Sequence, residues 1–239
     1  DQRGPLVEPS RATRSSRTDR PGGHNLILSH GYCSDADSWR VGDFTGDVAL
    51  YMNTYQNFSH DEFAMDLYAF GTQYKSYGIV GHSQGGNAAL HLYTFYWSGL
   101  DWASEGRRVQ ALGTPFSGTA LAGEVSLLGE IFGFGCGINY DLTYDGAAQW
   151  LSFIPTAPRQ ETWTWTSTFE DNWWSYDYCN ILTDLLLYDP EDGVVENSAG
   201  DLDGANNMGT TVGWCHVKKM AEPREVDDTN RSSEMNLEA

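Results

Sequence analysis

Ser83 stands in Gly81-His82-Ser83-Gln84-Gly85-Gly86, after the apolar run Tyr77-Gly78-Ile79-Val80 and before a helix-forming stretch from Asn87 to Tyr96. A strand, a sharp turn carrying serine and then a helix make a nucleophile elbow, whose chemistry is acyl transfer through a covalent serine intermediate. The serine of such a turn sits in a strained backbone conformation, and its neighbours must lack a Cβ so that strand and helix can pass closely. In a chain with 26 glycines the same pattern also describes an ordinary strand-to-helix turn, so the partners of the reaction have to be found independently. They are a base for the serine proton, a carboxylate to orient the base, and two backbone N–H groups to hold the developing oxyanion.

The chain has six histidines. His24, His30, His60 and His82 precede Ser83, and His91 lies two turns along a helix that leads away from it. In chain order the base of an elbow serine comes last, which leaves His216, just after the strand-like run Thr210-Thr211-Val212-Gly213. The acid is expected from the turn Asp189-Pro190-Glu191-Asp192-Gly193-Val194-Val195, which follows the apolar Leu185-Leu186-Leu187-Tyr188. Asp192 is preferred over Asp189. Gly193 permits a tight turn that aims the carboxylate inward and Val194-Val195 anchors the loop, whereas Asp189 before proline reads as a turn-initiating residue. The oxyanion hole is expected from the N–H of Gln84 and from the N–H of Tyr32, in the loop His30-Gly31-Tyr32 after the apolar strand Asn25-Leu26-Ile27-Leu28-Ser29. His30 itself reads as a neutral imidazole that hydrogen-bonds loop backbone.

With these pieces on the page the chain resembles the α/β-hydrolases, and among them the bacterial triacylglycerol lipases. The matching segments are Leu28-Ser29-His30-Gly31-Tyr32, Ile79 to Gly86, Leu112-Gly113-Thr114-Pro115-Phe116-Ser117-Gly118-Thr119 and Pro190 to Val195, in the family's order over about residues 24 to 220. The resemblance implies an α/β-hydrolase fold, a small and mostly parallel sheet flanked by helices with a cap or lid insertion. It also implies a Ser83, His216, Asp192 triad, the Tyr32 and Gln84 amides as oxyanion hole, and no cofactor. Many such lipases hold calcium with an aspartate shortly after the catalytic histidine; Val217-Lys218-Lys219 stands there instead, and no metal ligand set is assigned. Asp201-Leu202-Asp203-Gly204 reads as a polar turn that lacks the remaining positions of a calcium loop.

The elements that must carry these residues alternate strand and helix. Val48 to Thr54 reads as a strand, Asp61 to Tyr74 as an amphipathic helix capped by Ser59, and Val109 to Gly113 as the strand after the elbow helix. Glu161 to Thr168 alternates with period two, tryptophan on one face and threonine on the other. Residues 119–158 interrupt the alternation with an apolar, glycine-spaced stretch that reads either as a wall for an acyl chain or polymer, or as a helix pair that only completes the core. Tyr32, Phe116, Trp173, Trp174 and Trp214 are the aromatic residues expected to meet substrate, although core packing is the competing reading for the Trp173-Trp174 pair.

The 239 residues, 40% of them hydrophobic, suit one catalytic domain over residues 24–221. The polar segments 1–23 and 222–239 read as tails unable to bury enough surface to offset their ordering entropy. Arg11, Arg14, Arg17 and Arg20 give the first tail a basic face for an acidic surface or a solvated linker. A formal net charge of −19 repels phosphates and argues against nucleic acid or anionic membrane as partner. No stretch approaches the roughly 20 apolar residues of a membrane helix. Asp1 in place of methionine points to a trimmed start, so the lack of a visible signal peptide says nothing against export. Four cysteines favour disulfides in a secreted chain. Cys33 lies beside Tyr32 and Cys215 beside His216, which predicts Cys33–Cys215 and Cys136–Cys179. The expectation is a secreted, monomeric serine carboxylic-ester hydrolase acting on lipid esters, with interfacial contact in place of membrane insertion. A cutinase-like polyester hydrolase and a catalytically silent hydrolase-fold binding protein are the alternatives.

Overall fold

The computed structural model describes residues 25–34, 39, 41–44, 46–54, 56–103, 107–123, 137–168, 186–188, 190–212 and 214–216. Six strands run in one parallel sheet: β1 (Asn25–Ser29), β2 (Asp47–Tyr51), β3 (Gly78–His82), β4 (Val109–Leu112), β5 (Thr162–Thr168) and β6 (Asn206–Val212). Their order across the sheet is β2-β1-β3-β4-β5-β6, and every neighbouring pair is parallel. Helices cover the sheet and its carboxyl edge: α1 (His60–Gly71), α2 (Gln84–Phe95), α3 (Tyr144–Ser152), α4 (Thr156–Gln160) and the single turn α5 (Asn197–Gly200). This is the α/β-hydrolase architecture, a parallel sheet flanked by helices.

Apolar residues take both faces of the central strands because both faces are covered. Ile27 of β1 and Ile79 of β3 join Phe63, Ala64 and Leu67 of α1 and Ala88, Ala89 and Leu92 of α2 in one cluster. The alternate residues Leu26, Leu28 and Val80 face the other way, onto Trp39, Phe44, Trp165 and Trp214. The period of two along each strand sorts the residues between the two layers. A third cluster sits over the strand ends, where Tyr32 and Cys33 meet Leu121, Leu142, Leu187, Val194, Val195 and Ala199.

Chain order brings the loops after β1 and β3 side by side. The chain leaves β1 for β2 on one side and returns to β3 on the other, so the carboxyl ends of β1 and β3 flank a topological switch point, where open α/β sheets bind ligands. Ser29 pairs with Gly81 at this end, and the loop after β1 lies beside the turn after β3. Helix α1 begins in a capping box, with Ser59 accepting from the Glu62 N–H and the Glu62 side chain accepting from the Ser59 N–H, as its sequence signature predicts.

Several bounds differ from the sequence reading, each for a visible reason. β2 stops at Tyr51 and not Thr54, because the Asn53 N–H goes to the imidazole of His30 instead of the ladder. β6 starts at Asn206, earlier than Thr210; it is an edge strand with exposed polar positions, which hid it from hydrophobic patterning. α1 ends at Gly71, where the ring of Tyr77 occupies the space a side chain would need. The described part of the 119–158 insertion packs Trp150 and Ile154 into the main core and leaves Phe153 exposed. Its apolar residues Leu127, Leu128, Ile131, Phe132 and Phe134 lie outside the described residues, as do the segments 1–23 and 222–239.

Candidate active site

Ser83 connects β3 to α2 with φ 54° and ψ −132°, a conformation that L residues avoid and that persists only when the surroundings over-determine it. Those surroundings are the elbow's glycines. A Cβ at Gly81 would collide with the backbone of Gly85 and Gly86, and one at Gly85 would stand 2.5 Å from the His30 carbonyl oxygen. At Gly86 it would run into Thr114. The strand, the helix and the loop after β1 can therefore meet only because these positions are glycine. A Cβ on Gly31 would lie 2.5 Å from Ser83 Cβ and 3.0 Å from its Oγ, so the Tyr32 loop passes directly against the serine.

His30 makes the contacts expected of a neutral imidazole. Nδ1 is 2.8 Å from the Gly31 carbonyl oxygen and Nε2 accepts from the Asn53 N–H at 3.1 Å. A ring that donates at Nδ1 and accepts at Nε2 carries one proton. Its ring stacks on Tyr51 with centroids 5.3 Å apart.

Asp192 and His216 are brought together. His216 Nδ1 lies 2.8 Å from Asp192 Oδ2 with the two side chains 0% and 2% exposed, and the His216 N–H donates to the Asp192 carbonyl oxygen at 2.8 Å. Asp192 Oδ1 accepts from the N–H groups of Val194 and Val195 at 3.0 and 2.7 Å. Every oxygen of this buried carboxylate is thus satisfied, and the turn that achieves it passes through Gly193 at φ 96°. Val194 and Val195 are buried in the cluster over the strand ends, and Thr119 donates to the Val194 carbonyl oxygen. Since a carboxylate only accepts, a proton sits on His216 Nδ1, which leaves Nε2 as the nitrogen that can act as a base when the ring is neutral. That nitrogen is buried with no hydrogen-bond partner among the described residues. The His216 ring lies 4.5 Å, centroid to centroid, from the ring of His82, the residue before the serine. In this state Ser83, 4% exposed, makes no hydrogen bond to His216; such bonds are often open until substrate arrives.

Gln84 is fully buried and begins α2, so its N–H has no acceptor within the helix. The rings of Tyr32, Phe116 and Trp214 fill the interior and do not line an open wall. Tyr32 donates its hydroxyl to the Gly137 carbonyl oxygen, Phe116 packs in the core beside α2, and Trp214 closes the opposite face of the sheet. Asp189, Trp173 and Trp174 lie outside the described residues. Asp201 Oδ1 accepts from the Asn207 side chain at 2.8 Å. Cys33 and Cys215 are in disulfides, while Cys136 and Cys179, which enter the expected connectivity, lie outside the described residues.

The sequence reading passed over the segment from Gln56 to Phe58. It carries no motif, yet Gln56 reaches both Gly31 and Gln84. Nearby, His60 is buried against Trp150, and burial, with His91 adding to it, pushes its pKa down to about 3. Burial also lowers the pKa of His91, which Asp61 offsets in part.

Comparison with known proteins gives the lineage. The model of the conditioned medium factor C-terminal domain matches residues 21–239. The chain belongs to that family. It is 44% identical over 217 residues to the protein named conditioned medium factor from Dictyostelium discoideum, covering 90% of the present chain but only 31% of that protein's length. Solved structures with the same fold include the Bacillus licheniformis lipase BlEst2 in mature form, with a TM-score of 0.67 at 16% identity over 98% of this chain and 96% of that one. EstA from Clostridium botulinum gives 0.60 at 13% identity over 97% and 95%. The lipase of Staphylococcus hyicus gives 0.59 at 14% identity over 91% and 96%. These conditioned medium factor domains therefore include a chain with the fold of lipases and esterases.

Proposed function

We propose that this domain is a serine carboxylic-ester hydrolase of the lipase or esterase type. The observation that carries the reading is the buried Asp192–His216 pair, with its free Nε2 lone pair, beside an elbow that holds Ser83 at φ 54°. In the proposed reaction Ser83 Oγ attacks the ester carbonyl as His216 Nε2 takes its proton. The amides of Tyr32 and Gln84 hold the oxyanion, and the alcohol leaves with the proton returned from His216. Water, deprotonated by the same nitrogen, then attacks the acyl-enzyme; the bond to Ser83 Oγ breaks as His216 returns the proton to it, and the acid is released. Asp192 keeps Nδ1 protonated and the ring oriented throughout.

Lipid esters are the proposed substrates, in line with the lipase fold. A cutinase-like polyester activity is the variant of the same chemistry that an open, aromatic cleft would favour. Secretion is part of the proposal; the relative's name refers to conditioned medium, and cysteines held in disulfides suit an oxidising compartment. Among the described residues no helix is long and apolar enough to cross a membrane. The insertion after residue 119 is proposed as a cap over the site.

One observation favours a second reading, a silent hydrolase-fold binding protein: Ser83 is almost fully buried and unbonded to His216. Hydrolysis of p-nitrophenyl esters from acetate to palmitate, of emulsified triglyceride and of an aromatic polyester film separates the readings, with fluorophosphonate labelling of Ser83 alongside. Turnover that vanishes in Ser83→Ala supports the hydrolase. Full turnover in Ser83→Ala overturns the mechanism, and an unlabelled, inactive protein makes it a binding module.

A further inference from the structure

We infer that Gln56 is a positioning residue for the oxyanion hole, fixing the peptide plane that carries the Tyr32 N–H and tying that plane to Gln84, which carries the second donor. The inference deepens the hydrolase reading and rests on it.

The Gly31–Tyr32 peptide is one planar unit, and in the trans form its carbonyl and its N–H point in opposite directions. Whatever holds the Gly31 oxygen therefore aims the Tyr32 N–H. Two side chains hold it: His30 Nδ1 at 2.8 Å and Gln56 Nε2 at 3.3 Å. Glycine cannot supply this orientation itself, because without a Cβ it accepts either sense of the peptide at little cost. Yet glycine is required at this position, where any side chain would strike Ser83. The residue that lets the loop approach the nucleophile thus leaves the donor's direction to outside anchors.

Gln56 is built for that task. It is 4% exposed, and its Oε1 accepts from the Phe58 N–H at 2.8 Å, which turns the NH2 end toward Gly31. The same Nε2 lies 3.4 Å from Gln84 Oε1, and Gln84 in turn donates to the Phe58 carbonyl oxygen at 2.7 Å. The backbone of Gln56 adds a third tie, its carbonyl oxygen accepting from the Cys33 N–H at 3.0 Å. Gln56 therefore grips the loop on both sides of Tyr32, at the carbonyl before its N–H and at the amide after it. One side chain links the residues that supply both proposed oxyanion donors, which sit on different elements. Donors already aimed at the developing charge contribute mainly to the transition state, so loosening one lowers kcat more than it raises KM.

The test is Gln56→Glu in the full chain, which keeps the acceptor for Phe58 but cannot donate to Gly31 or Gln84. Ester kinetics, melting temperature and affinity for a trifluoromethyl ketone, whose serine adduct places an oxyanion in the hole, are measured together. The expected result is a kcat lowered about 10- to 100-fold, an unchanged KM, and analogue affinity lowered by the same factor as kcat/KM. Should the buried carboxylate unfold the chain, the neutral Gln56→Met of similar length carries the same comparison. A folded variant that keeps kcat and analogue affinity overturns the inference alone. A parent protein with neither ester turnover nor Ser83 labelling overturns the hydrolase reading, and this inference with it.

Discussion

The two sides of the site are built by different means. On the Ser83 side, β3, Ser83 and α2 are contiguous in sequence, and the turn is held by close approaches at Gly81, Gly85 and Gly86 that tolerate no side chain. On the Asp192–His216 side, the two residues are 24 apart in the chain, and they meet through hydrogen bonds of a glycine turn and a small apolar cluster over the strand ends. The first side is specified by what is missing, namely Cβ atoms; the second by what is satisfied, namely every oxygen of a buried carboxylate. Damage to the elbow's glycines should therefore show as lost folding, and damage to the buried carboxylate as lost chemistry.

The largest effect expected is Ser83→Ala, a loss of about 10⁶-fold in kcat with the fold retained, read from ester turnover and circular dichroism. Asp192→Asn comes next. Its Nδ2 cannot accept the His216 proton, the ring loses the tautomer a base needs, and kcat falls about 10⁴-fold; an Asn variant with parental kcat would remove Asp192 from the mechanism. Gly81→Ala sharpens the contrast from the other side. The added methyl meets backbone that cannot swing away, so denaturant titration should show about 3 kcal/mol lost, with activity falling only as the folded fraction falls.

The smallest effect is one of pH. His60, beneath Gln84, has its folded pKa lowered from 6.5 to about 3 by burial. Between these values the unfolded chain binds more protons than the folded one, so stability rises with pH in this window and is lost as pH falls toward 3. In His60→Leu, melting temperature should depend less on pH between 6.5 and 4 than in the parent; an equal dependence would assign the acid sensitivity to other groups.

How much was legible follows the same division. The elbow, its flanking strand and helix, and the capping box at Ser59 are local patterns, and each appears in the structure within a few residues. The preference for Asp192 came from the glycine and valine pair behind it, and those residues do make the turn. The aromatic residues were read less well: Tyr32, Phe116 and Trp214 fill core space, and residue type alone does not separate a ring that lines a cleft from one that closes a layer. Gln56 left no trace in the sequence, because a glutamine in an irregular loop is distinguished only by what its two amide atoms touch.

The sequence by itself determined the parallel sheet and the turn that carries Ser83, and its chain order singled out His216 as the proposed base. These depend on periodicity and on the absence of side chains, which are properties of short segments. Only the tertiary structure decided that the His216 proton faces Asp192, that Gly31 lies against Ser83, and that Gln56 joins the loop after β1 to the elbow. Those are directions and distances between segments far apart in the chain, and they are fixed when burial forces each polar group to find a partner.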